Sequence, residues 1–227
     1  MHRRELLAAL TASTSIAIAG CLGGEDGSYE FDAEPARISP TALDDAGYEG
    51  EAPEAFTVDE EFDVAGVNAQ ISATTWVARY QNPIEESALF VASTPDASVA
   101  GQSVNPLVRA GDAELIRQLL EQIEQQGVGG EDAEIEADDI EERGSETRMI
   151  LDQEVEISIL ETTVDADVGA EGAEDGEVED IPVLLYVGTV QHEDDVIALV
   201  GVHPVGVDAA EELLSLMEHV EHPVTGL

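Results

Sequence analysis

Apolar residues recur at every second position over two long stretches of this chain, and this alternation most constrains its fold. In residues 55–64 the alternating apolar positions are Phe56, Val58, Phe62 and Val64. Residues 67–77 continue on one parity with Val67, Ala69, Ile71, Ala73, Thr75 and Val77. A period of two is typical of strands, and Ala65-Gly66 is a turn signal between them. The pattern predicts a long β-hairpin.

The opposite parity of the second strand is apolar as well, at Trp76, Ala78 and Tyr80. This second face is predicted to be buried under a helix, with Trp76 and Tyr80 in the core. The alternative is that these two aromatic rings line a ligand groove. Asn82-Pro83 ends the strand, and residues 88–95 form another strand that Pro95 stops.

The strand pattern returns in the second half of the chain. Residues 147–163 are predicted to form a strand, with apolar positions at Met149, Leu151, Val155, Ile157 and Ile159. Residues 181–190 and 196–205 are two more apolar strands, joined by His192-Glu193-Asp194-Asp195. Each half runs through three strands and then a helix, which raises the hypothesis of an internal duplication.

Two segments carry the longer period of a helix. In residues 112–126 the apolar residues fall on one helical face: Leu115, Ile116, Leu119, Leu120 and Ile123. Asp112 and Gly127 suit the two caps of that helix. A final helix follows a capping-box-like stretch at residues 208–211. Its predicted buried face contains Leu213, Leu214, Met217 and Val220.

These elements predict an α+β domain, in which an antiparallel sheet of hairpins carries helices on one face as a two-layer or α/β/α sandwich. An extended segment at residues 29–38 and a short helix opened by Ser39-Pro40 precede the first hairpin. The single domain spans residues 29–227. Two acidic inserts, near residues 127–146 and 165–180, are predicted to be a solvated linker and a hairpin tip.

The charge balance bounds the environment and the chemistry. The chain has 51 acidic and 8 basic residues, a net charge of −43, and all its basic residues are arginine. Its 43% hydrophobic content argues against a disordered acidic chain. Such a charge strains a compact state in dilute buffer, whereas about 1 M salt screens it within about 3 Å. Acid enrichment without lysine resembles the proteins of haloarchaea. The absence of lysine excludes a P-loop lysine and a lysine Schiff base. The negative charge disfavours nucleic acid and anionic membrane surfaces as partners.

The first residues resemble an export signal that ends in a lipidated cysteine. Arg3 and Arg4 precede an uncharged apolar run over residues 6–19, which is too short for a permanent membrane span. The paired arginines resemble a twin-arginine signal, and Ile18-Ala19-Gly20-Cys21 resembles a lipobox. The resemblance implies cleavage after residue 20, a lipid on Cys21 and a flexible tether over residues 21–28. The alternative is an ordinary signal with an incidental cysteine.

No residue pattern specifies a catalytic site or a cofactor. His219 and His222 stand three apart, so on one helix face they could bind a transition metal, and His203 is a further candidate. The alternative is that His219 and His222 suit the end of the last helix, where the dipole favours such groups. Asp165, Asp167 and Glu171 come nearest to a divalent-cation loop but lack its regular spacing. We expect no bound metal or cofactor.

As a whole, the chain resembles uncharacterised haloarchaeal lipoproteins grouped as a domain of unknown function. The resemblance rests on the signal, on Ser93-Thr94-Pro95 and on the terminal strand–helix unit. It carries no known active residues, so no function follows from it. The anchor, the α+β sandwich and the absence of catalytic signatures together predict a non-enzymatic, lipid-anchored extracytoplasmic domain that binds a small ligand, an envelope component or a partner protein. One alternative is a hydrolytic or metal-dependent enzyme that uses His203 or His192 with carboxylates. Another, by analogy with similar sandwich domains, is an assembly factor for a membrane complex.

Overall fold

The computed structural model describes residues 28–64, 67–99, 102–103, 105, 133–135, 140–167 and 177–225. The predicted signal with Arg3, Arg4 and Cys21, and the helix predicted at residues 112–126, lie outside these residues. In chain order the described elements are β1 (Ser28–Asp32), β2 (Arg37–Ile38), α1 (Pro40–Ala46), β3 (Glu49–Gly50), β4 (Glu54–Val64), β5 (Val67–Asn82), β6 (Ser87–Pro95), β7 (Ser98–Val99), β8 (Gln102–Ser103), β9 (Ala133–Ile135), β10 (Glu141–Ile150), β11 (Gln153–Asp167), β12 (Glu177–His192), β13 (Asp195–Pro204), α2 (Ala210–Met217) and β14 (Val220–Glu221). None of the helices in this described part has the length and apolar character needed to cross a bilayer.

Most strands join one open sheet in the order β1-β5-β6-β13-β12-β11-β10, with β3 and β4 also paired to β5 and β9 to β11. Hairpin-connected neighbours are antiparallel, as predicted, but β1 runs parallel to β5. The sheet is therefore mixed, and the prediction of a purely antiparallel sheet is wrong at this strand. The reason is connectivity, because β1 reaches β5 through β2, α1 and β4 rather than through a tight turn.

The predicted first hairpin is confirmed, with β4 and β5 paired from Glu54↔Val77 to Val64↔Val67. The predicted single strand over residues 147–163 is wrong, because it is a hairpin of β10 and β11. Leu151 and Asp152 form its turn, with φ angles of 48° and 62°. Two successive positive φ angles match the twist of a two-residue hairpin turn, but glycine and asparagine are its usual residues. Leu151 therefore looked like one more strand position.

The central strands support the symmetry expected of the two halves. Strands β4, β5 and β6 lie on one side of the sheet, and β11, β12 and β13 lie on the other in mirrored order. The two third strands, β6 and β13, pair with each other from Asp195↔Pro95 to Val202↔Ala88. The helix that the duplication hypothesis places after β6 lies outside the described residues.

One face of the sheet carries the larger core, and both described helices pack on it. Leu213, Leu214 and Met217 of α2 lie against strand residues such as Leu199, and Leu43 of α1 packs on the same cluster. Gly201 of β13 allows this close approach, since a Cβ there would lie 3.1 Å from Cε of Met217. The helix-covered face predicted from Ala78 and Tyr80 is confirmed, because both belong to this cluster.

The opposite face has its own buried cluster, made of Leu160, Leu185, Val187, Ala198 and Val200. Strand β13 is consequently buried on both sides, from Asp195 to Gly201. Side chains that cannot reach water must satisfy their polar atoms within the protein, so the buried polar residues of β12 and β13 need partners there.

The last helix and the first acidic insert differ from their predictions. Ala209, not Asp208, is the N-cap of α2, and no side chain caps it. The helix ends at Met217, so Val220 lies in β14, where it pairs with Ile38 of β2. Parts of the insert predicted as a linker at residues 127–146 are strand, namely β9 and the start of β10.

Candidate functional site

A buried carboxylate at the first residue of β13 is the centre of the candidate site. The Asp195 side chain is 5% exposed. Its Oδ2 accepts a hydrogen bond of 2.8 Å from the backbone N–H of Glu34 and one of 3.0 Å from Nε2 of His222. One oxygen atom thus binds the segment before β2 and the segment after β14. A buried carboxylate needs such donors, because its desolvation is otherwise costly.

The imidazole of His222 continues the chain of hydrogen bonds to a second histidine. The side chain of His222 is fully buried. Its Nδ1 lies 2.9 Å from Nδ1 of His192, the last residue of β12, whose side chain is half-buried. The two rings meet nearly at right angles, with centroids 5.2 Å apart and an interplanar angle of 78°. Asp195, His222 and His192 therefore form a continuous polar chain from the interior towards solvent.

The partners fix the proton positions in this chain. A carboxylate can only accept, so Nε2 of His222 carries the proton that it shares with Asp195. In the neutral ring Nδ1 of His222 is then an acceptor, and the donor is the Nδ1–H of His192. This leaves Nε2 of His192 as the basic atom at the end of the chain. The arrangement can accept a proton at His192 and share its charge with the buried carboxylate.

The site also joins the two ends of the described chain. Strands β2 and β14 pair antiparallel, Ser39 N–H donates to the carbonyl of His219 at 2.9 Å, and Val224 N–H donates to the carbonyl of Pro35 at 2.9 Å. Arg37 and Glu221 form an ion pair of 2.9 Å across these segments. Of the three site residues, Asp195 and His192 belong to the main sheet, so they help to connect this small pair of strands to it.

A second histidine is buried at the far end of the same hairpin. His203 is 2% exposed, and its Nδ1 donates to the carbonyl of Pro204 at 2.8 Å. Its Nε2 is then the acceptor for the hydroxyl of Tyr186 at 3.1 Å, with the two rings stacked at 5.5 Å. Burial, followed by the charges of Glu146, Asp208 and Glu211, raises the pKa of Tyr186. No carboxylate hydrogen-bonds to His203 in the part of the chain that the structure describes.

The candidate metal pair His219 and His222 does not share a face of the last helix. His219 lies beyond the end of α2, is exposed and donates from Nδ1 to the carbonyl of Ser215 at 2.8 Å. His222 follows β14 and turns towards Asp195, so the three-residue spacing spans a strand rather than a helical turn. Within the described ranges, no group of three or more His, Cys, Asp or Glu side chains is arranged to hold a metal ion.

The two aromatic candidates anchor the N-terminal segment. The hydroxyl of Tyr80 accepts from Ile38 N–H at 3.0 Å, and Nε1 of Trp76 donates to the carbonyl of Ala33 at 2.9 Å. Tyr80 is buried in the core and Trp76 partly buried, which favours the core interpretation over a ligand groove. Of the proposed cation loop, Asp165 and Asp167 lie in β11, and Glu171 lies outside the described residues.

A pair of carboxyl groups, Glu85 and Glu212, meets where the β5–β6 turn approaches α2. Burial and then the neighbouring Glu85, through its charge and a hydrogen bond, raise the pKa of Glu212. Tyr48 lies nearby, bonded through its hydroxyl to Ser87 at 2.6 Å, and burial raises its pKa too. A carboxyl and a carboxylate can share a proton, so this contact depends on pH.

A family profile described as Domain of unknown function (DUF6517) matches residues 35–221, which is most of the chain. The chain belongs to this family. No curated protein matches it. The matched region of the DUF6517 domain starts within the segment that Asp195 binds and stops one residue before His222. Asp195 and His192 are therefore within the matched region.

The Asp195 site of the DUF6517 domain was beyond local sequence reasoning. The sequence placed His192 and Asp195 in one turn, where acidic residues are ordinarily solvated. It gave no sign that the backbone of residue 34 and the ring of His222 would approach from 161 and 27 positions away. One available signal was the placement of Asp195 directly before the continuous apolar run of residues 196–202.

Proposed function

We propose that this DUF6517 protein is a lipid-anchored, extracytoplasmic binding domain of a haloarchaeon, exported through the twin-arginine route. The lipobox-like Ile18–Cys21 carries the proposal, because a lipid on Cys21 would fix the domain at the membrane. The domain binds a partner at the cell surface, either an envelope protein or a small ligand.

The position of the first strand supports this arrangement. Strand β1 begins at Ser28, seven positions after Cys21, and is already paired with β5. A fully extended tether of that length reaches about 25 Å, so the domain would stay close to the bilayer surface. The glycines and like charges of residues 22–27 would suit a flexible spacer.

The charge of the mature chain supports a cell-surface site in concentrated salt. Removing residues 1–20 leaves 50 acidic and 6 basic residues, a net charge of −44. This surface would repel nucleic acid and anionic lipid headgroups, so the lipid on Cys21 rather than the protein surface would provide membrane attachment. The acidic surface could bind a partner whose contact surface is neutral or cationic. It could also bind other partners in concentrated salt, which screens the charge.

The anchor is tested by expressing wild type and Cys21→Ala in a halophilic host and separating membranes from medium at molar salt. We expect the variant in the soluble fraction, since it keeps the signal but has no thiol to acylate. An Arg3→Lys, Arg4→Lys variant is the matched control for the route, because it keeps the charge but should block export by the twin-arginine pathway. Firm membrane retention of Cys21→Ala would contradict the proposal.

The binding role is tested by capture from native membranes at molar salt, with the anchored wild type as bait. The expected result is one partner or ligand that co-purifies at a fixed ratio. Recovery of the bait alone, over several detergents and salt concentrations, would contradict a binding function while leaving the anchor intact.

A second candidate, a hydrolytic enzyme, is favoured by one observation. Nε2 of the half-buried His192 ends a hydrogen-bonded chain to a buried carboxylate, which is how many general bases are oriented. The test is hydrolysis of activated esters and phosphoesters by wild type and by His192→Gln. Turnover that disappears in the variant would favour the enzyme, and equal background rates would dismiss it.

A further inference from the structure

We propose that Asp195, His222 and His192 form an acid-sensitive clamp, which holds both ends of the domain against the β12–β13 turn and releases them when a second proton enters the histidine pair. The two ends are residues 33–38, called the entry segment, and residues 219–224, called the exit segment. The proposal is independent of lipid attachment and of any ligand.

The first step is that the two segments share one point of attachment. The entry segment donates Glu34 N–H, and the exit segment donates Nε2–H of His222, to the same Oδ2 of Asp195. The segments also bind each other through β2 and β14. Loss of the carboxylate contact would therefore free Glu34 N–H and the ring of His222 together, while Tyr80, Trp76 and the carbonyl of Thr74 still hold the ends of the entry segment. Groups linked through a shared partner respond cooperatively rather than one at a time.

The second step is that the pair accepts one proton without losing a hydrogen bond. In the uncharged pair His192 donates from Nδ1 to Nδ1 of His222. An added proton enters at Nε2 of His192, and the shared proton can then move to His222. Either way three ring protons are held by four ring nitrogens, and the positive charge lies one or two hydrogen bonds from Asp195. Such a charge strengthens the contact with a buried carboxylate.

The third step is that a second added proton has no place in this geometry. Both Nδ1 atoms would then carry hydrogens that point at each other across 2.9 Å, and two positive rings would face each other. The fully buried His222 cannot turn its charge to water while its Nε2 stays on Asp195. The half-buried ring of His192 can turn towards water, but the hydrogen bond between the two rings is then broken. Histidine is the side chain suited to switch between about pH 5 and 8.

The described surroundings of the clamp are mainly acidic. Charged or titratable residues on the elements that meet there are Glu34 and Arg37, Asp96 after β6, Asp152 in the β10–β11 turn, Glu193 and Asp194 in the β12–β13 turn, and His219 and Glu221 of the exit segment. Among these residues Arg37 is the one fixed cation, and it is paired with Glu221. One positive charge on the histidine pair would therefore meet mainly negative neighbours, whereas two adjacent positive rings would still repel each other.

The test is hydrogen–deuterium exchange of the full chain at molar salt, from about pH 8 to about pH 4.5, across the range in which histidine and carboxylates titrate. Exchange is expressed as protection, so that the intrinsic pH dependence is removed, and a chelator excludes trace metal from the imidazoles. In wild type we expect protection in the entry and exit segments to fall at least about tenfold at the acid end. The amides of β13 should stay protected, which separates clamp opening from unfolding.

Three variants make the result specific. His192→Gln should stay closed at the acid end, because the lone His222 can hold its charge beside Asp195 while the amide oxygen accepts from Nδ1. Asp195→Asn should be closed at neutral pH but open at a higher pH than wild type, since a buried imidazolium loses its counter-charge. His219→Gln, an exposed histidine three positions from His222, should behave as wild type.

Three results would overturn the clamp. One is His192→Gln opening at the same pH as wild type, which would assign the transition to other groups. Another is wild type that keeps both segments protected until β13 itself unfolds. Disappearance of the transition on adding the chelator would likewise overturn it, because a metal rather than a proton would then be the switch.

Discussion

The two buried histidine sites of this domain lie on the same face of the same hairpin, but their imidazole rings have different hydrogen-bond partners. Asp195 and His203 are eight residues apart on β13, which is about 27 Å along a strand. At the turn end, His222 meets an ionised carboxylate and a second imidazole. At the open end, His203 meets a backbone carbonyl and a phenol, both neutral.

The difference determines what a proton does at each site. A proton added to Nε2 of His203 would remove the acceptor that the Tyr186 hydroxyl needs, and among the described residues no carboxylate hydrogen-bonds to this ring. A proton added to the His192–His222 pair finds a counter-charge in place at Asp195. Burial alone therefore does not decide the role of a histidine. Its second partner does, and this assigns a structural role to His203 and a responsive one to His222.

Removing the neutral site should have the largest effect on stability. His203→Ala leaves a cavity under α2 and an unpaired hydroxyl on Tyr186, so we expect a loss of about 3 kcal/mol in the free energy of unfolding. Chemical denaturation at molar salt and neutral pH measures it. A loss within about 0.5 kcal/mol, as at an ordinary surface position, would contradict a structural role for His203.

The charged site should be the next most sensitive, and its response should depend on the replacement. Asp195→Ala leaves Glu34 N–H and Nε2–H of His222 without an acceptor, with an expected loss of about 2 kcal/mol at neutral pH. Asp195→Asn keeps an acceptor oxygen, so its loss there should be less than about 1 kcal/mol. Equal losses in the two variants would show that the carboxylate charge, not the hydrogen bonds, holds the ends at neutral pH.

Both sites sit on a hairpin that the sequence predicts well. The two apolar runs at residues 181–190 and 196–205 locate β12 and β13, and the acidic run between them locates the turn, because these signals are local. The pairing of β13 with β6 was not accessible in this way, because these two strands are not joined by a hairpin. The hydrophobic period does not predict the hydrogen-bond partner of either buried histidine. That partner depends on which segment, distant in sequence, packs against the ring.

The two errors in prediction have different physical origins. The turn at Leu151-Asp152 has no glycine or asparagine to mark it, so the pattern predicts one strand where two exist. The apolar period that continues to Val220 predicts His219 and His222 at the end of a helix, yet Val220 pairs with Ile38 instead. The first error is an unrecognised local turn, and the second is a tertiary pairing that overrode a local period.

A smaller effect should come from the phenol that completes the neutral site. Tyr186→Phe leaves Nε2 of His203 without its donor, and we expect a loss of about 1 kcal/mol. Because burial raises the pKa of Tyr186 above its ordinary value of 10.0, its contribution is complete below that pH and is lost as the pH rises through the raised value. As the pH rises through that value, wild type should lose stability that Tyr186→Phe does not lose. The difference in unfolding free energy between the two proteins should therefore shrink in alkali. A parallel pH profile for the two proteins would contradict this role.

The smallest effect on stability should come from Glu212. Replacing it also removes a second group that could respond to acid, so the response of the histidine pair can be measured alone. Burial and the charge of Glu85 raise the pKa of Glu212 above its ordinary value of 4.5. Its contribution to stability is therefore complete below that pH and is lost as the pH rises through the raised value, so the ionised group opposes folding at neutral pH. Glu212→Gln should stabilise the domain there by less than about 1 kcal/mol, because the site is partly open to solvent. Exchange measured in this background should retain the full transition of the entry and exit segments. If the transition instead vanished with Glu212, the acid response would belong to the carboxyl pair against α2, and the two histidine sites would not differ in the way that their partners require.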